Sequence, residues 1–192
     1  MKTVYLIRHG QTLFNQQKRI QGWCDAPLTE LGIKQAKIAK EHIDKLNITF
    51  DDAFSSTSER ACDTLELITN IPYQRVKGLK EWNFGRLEGF SEALNPPLPY
   101  KDFFTQFGGE EELAFRTRIV TTIDKLINNS KGNNILIVSH GAAIAHFYLN
   151  WEKYSSVKRQ GSIKNCSILK YHYTNNQFIL QEIIEHDFSS IS

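Results

Sequence analysis

The chain has 192 residues and a formal net charge of +2, with 41% hydrophobic and 23% charged residues. That length can bury most of the surface an unfolded chain exposes, and the small net charge excludes a global cationic field for nucleic acid or a membrane surface. Cys24, Cys62 and Cys166 show neither paired spacing nor a zinc pattern, which predicts a reducing compartment; the lack of an apolar targeting core, or of about 20 consecutive apolar residues, predicts a cytoplasmic protein without a membrane partner.

Residues 2–8 are β-branched and aromatic with little polarity, which predicts a strand buried on both faces. Thr29 is a suitable N-cap for a helix reaching about Leu46, with Leu31, Ala36, Ala39, Ile43 and Leu46 as its apolar stripe. "DDAFSS" reads as a second strand. It runs into Ser56-Thr57-Ser58-Glu59, a capping-box pattern that opens a helix to about Thr69. The segment from Tyr73 to Glu110 is rich in proline and aromatics and predicts a long excursion with one short helix at its centre; long irregular segments are commonly functional. A helix follows from Glu110 to Asn129, with Ile119, Ile123, Leu126 and Ile127 turned inward. "NILIVSH" predicts another buried strand, "GAAIAHFYLNW" a helix, and "SILKYHY" with "QFILQEII" a closing hairpin across "TNNQ". No repeat or linker divides the chain. We expect one domain over residues 1–192, an α/β three-layer sandwich with a mostly parallel central sheet flanked by helices.

In such sheets ligands bind beyond the carboxyl ends of the strands. The first strand ends on Arg8-His9-Gly10, the second feeds the helix carrying Arg60, and the third ends on His140-Gly141. Adjacent and parallel, these strands would gather two arginines and two histidines, which repel one another when the site is empty. Phosphate relieves that conflict through forked hydrogen bonds from guanidinium groups, and Gly141 at a helix start adds partial positive charge. A neutral histidine can also attack phosphorus, provided its other ring nitrogen donates to a carbonyl, for which one near Gly10 would serve. The leaving alkoxide then needs an acid whose pKa the phosphate dianion raises. Glu81 is the candidate, brought in by a lid, with Glu88 as its rival.

"LIRHGQTLFN" resembles the Arg-His-Gly signature of the histidine phosphatase (phosphoglycerate mutase-like) superfamily. "RIQGWCDAPLTELG", "FSSTSERACDT", "LKEWNFGRLEG" and "VSHGAAI" follow in that family's order. The resemblance implies His9 as the phosphorylated nucleophile, with Arg8, Arg60 and His140 as the phosphate clamp. It implies Glu81 as proton donor and later base, Asn15 as a phosphate contact, and Gln21 and Gly22 as a substrate-contacting turn. It implies no metal or other cofactor.

Two further readings stand beside a hydrolase of small phosphate monoesters. A cofactor-dependent mutase retains a doubly phosphorylated intermediate and uses a second anion site, which in those mutases lies in a basic insert after the acid. Residues 82–109, the expected lid and specificity segment, contain only Arg86 and Lys101 as bases, which favours the phosphatase. A non-catalytic phospholigand-binding module is the other reading. Trp23, Phe84, Phe103, Phe104 and Phe107 fit either the core or the leaving-group side of the pocket. His42, His172 and His186 are expected at the surface. His146, six positions after His140, shares no helix face with it, which argues against a metal pair.

Overall fold

The computed structural model describes residues 1–189 and 191. In chain order the elements are β1 (Lys2–Arg8), α1 (Leu13–Gln16), α2 (Glu30–Lys45), β2 (Asp52–Ser56), α3 (Glu59–Ile68), β3 (Gln74–Val76), α4 (Glu112–Asn129), β4 (Asn134–Ser139), α5 (Gly141–Trp151), β5 (Ile168–Thr174) and β6 (Gln177–Ile184). The six strands form one sheet in the order β3-β2-β4-β1-β5-β6. Pairing is parallel from β3 to β1 and antiparallel from β1 to β6. Asn175 and Asn176, with φ of 50° and 57°, close the last hairpin in the left-handed conformation that a two-residue turn demands.

The alternation within β1 divides the core. Val4 and Leu6 pack with α4 and α5 on one face, while Tyr5 and Ile7 pack with α2 and α3 on the other. This is the expected three-layer α/β sandwich. Strands β2, β4 and β1 are consecutive neighbours, so Ser56, Ser139 and Arg8 end at one sheet edge.

Several local expectations are corrected. Leu46 is 53% exposed because the chain leaves the helix there. The capping box at Ser56 does not form: Ser58 is the N-cap without a side-chain bond, and Asp25 instead accepts the Glu59 amide at 2.5 Å. Helix α4 begins at Glu112, since Glu110 is drawn into an ion pair with Arg118 at 2.7 Å. The excursion holds four short 3-10 turns, at Lys77–Leu79, Gly85–Leu87, Glu92–Leu94 and Phe103–Phe107, in place of one helix. The short α1 and the three-residue β3 carry too little periodicity to be read from sequence. His42 and His186 are half-buried and face each other at 5.4 Å, and His172 is half-buried too. Trp82 is fully buried, stacked at 4.8 Å on Phe115, and fastens the excursion to α4.

Leu6→Ala, on the central strand, is expected to cost about 2–5 kcal/mol in urea unfolding, whereas Leu46→Ala should change stability by less than about 0.5 kcal/mol.

Candidate active site

The parallel strands deliver their polar ends to one place, as the alternation of strand and helix requires. His9 is 3% exposed at the end of β1. Its Nδ1 lies 2.8 Å from the Gly10 carbonyl, and its Nε2 lies 3.2 Å from Arg60 Nε. A carbonyl only accepts and a guanidinium only donates. The proton therefore sits on Nδ1, and Nε2 presents a lone pair.

Arg60, 1% exposed, leaves α3 and is held on every side. Beyond the bond to His9, Nη1 donates to the Cys24 carbonyl at 2.9 Å and pairs with Asp25 at 2.8 Å. Nη2 donates to the Gly22 carbonyl at 2.8 Å. Four of its five N–H donors are thus committed within the protein. Gly22 does not line the cavity. Its part is to approach the Trp82 carbonyl oxygen so closely that a Cβ would collide with it, and so to aim its own carbonyl at Arg60.

Arg8 donates to the Ile163 carbonyl at 2.5 Å, and its Nε is buried without a partner. A Cβ on Gly141 would lie 3.4 Å from this guanidinium, so a larger residue there would press on Arg8. His140 is fully buried beneath the cavity, with its ring centroid 5.2 Å from that of His9. Its Nε2 meets Ser56 Oγ at 2.8 Å, and its Nδ1 has no partner.

Burial first, then the charges of Arg60 and Arg8, hold His9 well below the ordinary histidine range, and His140 is held low by the same causes. The expected repulsion of four cations is therefore met within the protein. Both imidazoles are neutral, and Arg60 is balanced by Asp25.

Glu81 is 6% exposed and is held at the start of α5, next to Gly141, which lines the cavity. Its Oε1 accepts from the Trp82 and Ala143 amides, each at 2.9 Å, and its Oε2 from the Ala142 amide at 2.9 Å. Burial nevertheless outweighs these amides and raises its pKa. Glu81 stands at the cavity wall in this structure. Arg118 fixes its segment by donating to the Gly78 and Lys80 carbonyls, each at 2.9 Å, and to the Glu81 carbonyl at 3.0 Å. Glu88, the rival acid, is a structural acceptor for the amides of Trp23, Cys24 and Phe84 at 2.8, 2.5 and 3.1 Å.

A cavity of about 590 Å³ opens over His9, with Arg8, Asn15, Gln21 and Glu81 among its walls. Asn15 Oδ1 accepts from the Thr12 amide at 3.2 Å. Gln21 Oε1 accepts from Thr12 Oγ1 at 2.7 Å, which leaves its Nε2 unpartnered. Of the five aromatics in question, Phe84 lines the cavity, while Phe104 is buried behind it at 4.7 Å. Trp23 packs under Lys77, Lys80 and Arg118. Sequence reading did not find Asp25, Asn165 or Arg118. Asn165 donates to the His9 carbonyl at 2.9 Å and to Asn15 at 3.3 Å. Among the described residues no group of three or more His, Cys, Asp and Glu is arranged to hold a metal ion, and no helix is long and apolar enough to cross a membrane.

The model of the histidine phosphatase superfamily (branch 1) matches residues 4–186. Over 191 residues the chain is 29% identical to a metal-independent phosphoserine phosphatase of Arabidopsis thaliana, covering 92% of this chain and 79% of that one. A crystal structure of phosphoglycerate mutase from Bacillus anthracis superposes with a TM-score of 0.82 at 27% identity, over 94% of this chain and 91% of that one. Phosphoserine phosphatase of Entamoeba histolytica, in complex with 3-phosphoglyceric acid, gives 0.75 at 28% identity, over 97% and 98%.

Asp25→Ala, which removes the carboxylate beside Arg60, is expected to lower stability by about 1.5–3 kcal/mol, measured by urea unfolding.

Proposed function

The chain belongs to the histidine phosphatase superfamily (branch 1), and within it we propose a metal-independent phosphomonoester hydrolase of small phosphorylated substrates that works through a phosphohistidine on His9. The observation that carries this reading is the bracketing of His9: Nδ1–H on the Gly10 carbonyl and an Nε2 lone pair facing Arg60 Nε. That is the tautomer a nucleophile needs.

In the proposed first step His9 Nε2 attacks phosphorus and the phosphorus–oxygen ester bond breaks. Arg8, the remaining donor of Arg60, and the side chains of Asn15 and Gln21 stabilise the equatorial oxygens. Protonated Glu81 gives its proton to the leaving oxygen, which departs as the alcohol. In the second step the Glu81 carboxylate takes a proton from water, and the hydroxide oxygen attacks phosphorus. The nitrogen–phosphorus bond breaks, inorganic phosphate leaves, and both residues return to their starting states. His140 supports the clamp from below, held by Ser56. Gly22 acts through Arg60, Gly141 gives Arg8 its room, and residues 82–109 shape the leaving-group side.

The mutase remains as a second reading because of the likeness to the Bacillus anthracis enzyme. Neither Arg86 nor Lys101 lines the cavity, which supports the hydrolase. Supplied with 3-phosphoglycerate and catalytic 2,3-bisphosphoglycerate, the protein should release free phosphate; rapid formation of 2-phosphoglycerate with little phosphate would decide for the mutase.

His9→Ala should abolish hydrolysis of p-nitrophenyl phosphate while the fold is retained; full activity would remove the phosphohistidine, and an inactive wild type would favour the binding module. The pH dependence has a definite sign. His9 is held low, so the neutral nucleophile persists into acid and activity falls only below its lowered pKa. Glu81 is held high, so its proton persists above the usual carboxylate range and is lost as pH rises through the raised value. For an alkyl phosphate kcat/KM should therefore be bell-shaped and centred on the acid side of neutrality. Glu81→Gln should erase the basic limb and reduce kcat by about 100-fold or more.

A further inference from the structure

The proposed hydrolysis gives no role to the part of the cavity wall formed by α5 beyond Ala142. Helix α5 turns Gly141, Ala142, Ala145, His146 and Leu149 toward the cavity, the spacing of a single helix face. His146 lies five residues past Gly141, about 7.5 Å along the helix axis, and so away from the end where Glu81 is held.

His146 has a defined proton. Its Nδ1 lies 3.3 Å from Arg116 Nε, and a guanidinium only donates, so the ring N–H is on Nε2. Burial first and Arg116 second push its pKa down to about 4, which makes the ring an uncharged donor at neutral pH. Trp82 and Phe115 hold it at right-angled or edge-on contacts of 5.2 Å each.

Arg159 lines the same cavity, near enough to His146 for its charge to add to the lowering of that ring's pKa. Its Nη1 donates to the Gly161 carbonyl, its guanidinium lies 5.6 Å from the centre of the Tyr148 ring, and its Nε is buried without a partner. Among the described residues lining the cavity, Arg8 and Arg159 are the cations, and Glu92 and Glu112 join Glu81 as acids. Glu112 is answered by Arg116 at 3.2 Å. A second phosphate dianion would meet a single guanidinium, a neutral ring and a nearby carboxylate. A carboxylate monoanion is matched by one guanidinium and one N–H donor.

We propose that His146 and Arg159 form a subsite that reads a carboxylate on the leaving group, with Arg116 as the positioning residue that fixes the His146 proton. The subsite rests on the hydrolase reading and narrows its substrates to carboxylate-bearing phosphomonoesters.

The test compares O-phosphoserine with O-phosphoethanolamine, which differ by the carboxylate alone, and uses p-nitrophenyl phosphate as the reference. Wild type should prefer phosphoserine by about tenfold or more in kcat/KM. Arg159→Ala should lose about 10- to 100-fold on phosphoserine, mainly in KM, and less than about twofold on the other two substrates. His146→Gln, which keeps an N–H, should retain the preference that His146→Leu loses. With p-nitrophenyl phosphate hydrolysed, equal wild-type rates on the two phosphoamines, or a uniform loss in Arg159→Ala, overturn the subsite and leave the hydrolase standing. If p-nitrophenyl phosphate is not hydrolysed, the hydrolase falls. Calorimetric binding of the two phosphoamines to the same protein then decides the subsite, and a preference below about twofold overturns it.

Discussion

The guanidinium of Arg60 is the point on which the site is built. A cation taken out of water is tolerated only when its donors are answered, and here the answers come from distant parts of the chain. The first strand supplies His9, the turn after it supplies the Gly22 and Cys24 carbonyls, and Asp25 supplies the countercharge. That turn keeps its shape because Glu88, in the excursion, accepts the Trp23 and Cys24 amides. One buried charge thereby joins α3, the strand bearing His9 and the irregular segment. The same contact, together with the Gly10 carbonyl, sets the tautomer of His9, so one guanidinium both anchors the turn and fixes where the imidazole proton sits.

The start of α5 does complementary work. Its Ala142 and Ala143 amides hold the Glu81 carboxylate, while burial favours the protonated form. Ionisation is resisted, yet the ionised form still has a hydrogen-bonded place, which is what the proposed exchange of a proton at Glu81 calls for. Arg118 and Glu110 set the backbone that carries Glu81, so the acid stands on a braced segment.

The mostly parallel character of the sheet, though not its strand order, was legible because strands alternate with helices and polar residues end the buried apolar runs at Arg8 and His140. Arg8, His9 and His140 could be singled out for the same reason, Arg60 because the second strand feeds its helix, Glu81 as an acid at the edge of the excursion, and Asn15 through the resemblance of its motif alone. The excursion was not legible. Its turns are fixed by bonds from side chains to backbone groups, as with Glu88 to Trp23 and Glu110 to Asn83, and these leave no periodic signal. Glu81 and Glu88 also look alike in sequence. Only burial and partners separate a carboxylate facing the cavity from one that ties down three amides. That Glu81 would take the Ala142 and Ala143 amides at the start of α5 was not legible either, because nothing in the sequence brings the two segments together.

The position of β1 carries one more consequence. It lies between β4 and β5, so the strand that bears His9 is synthesised long before either neighbour exists. Arg60 and Glu81 also precede β4 in the chain, and Asn165, which ties the His9 backbone to Asn15, comes just before β5. A growing polypeptide that already contains His9, Arg60 and Glu81 still lacks the walls that exclude water and set their protonation. The surroundings that bury these side chains are therefore completed late in translation, with the closing hairpin, and nascent fragments hold His9 and Glu81 without the environment that shifts their pKa values.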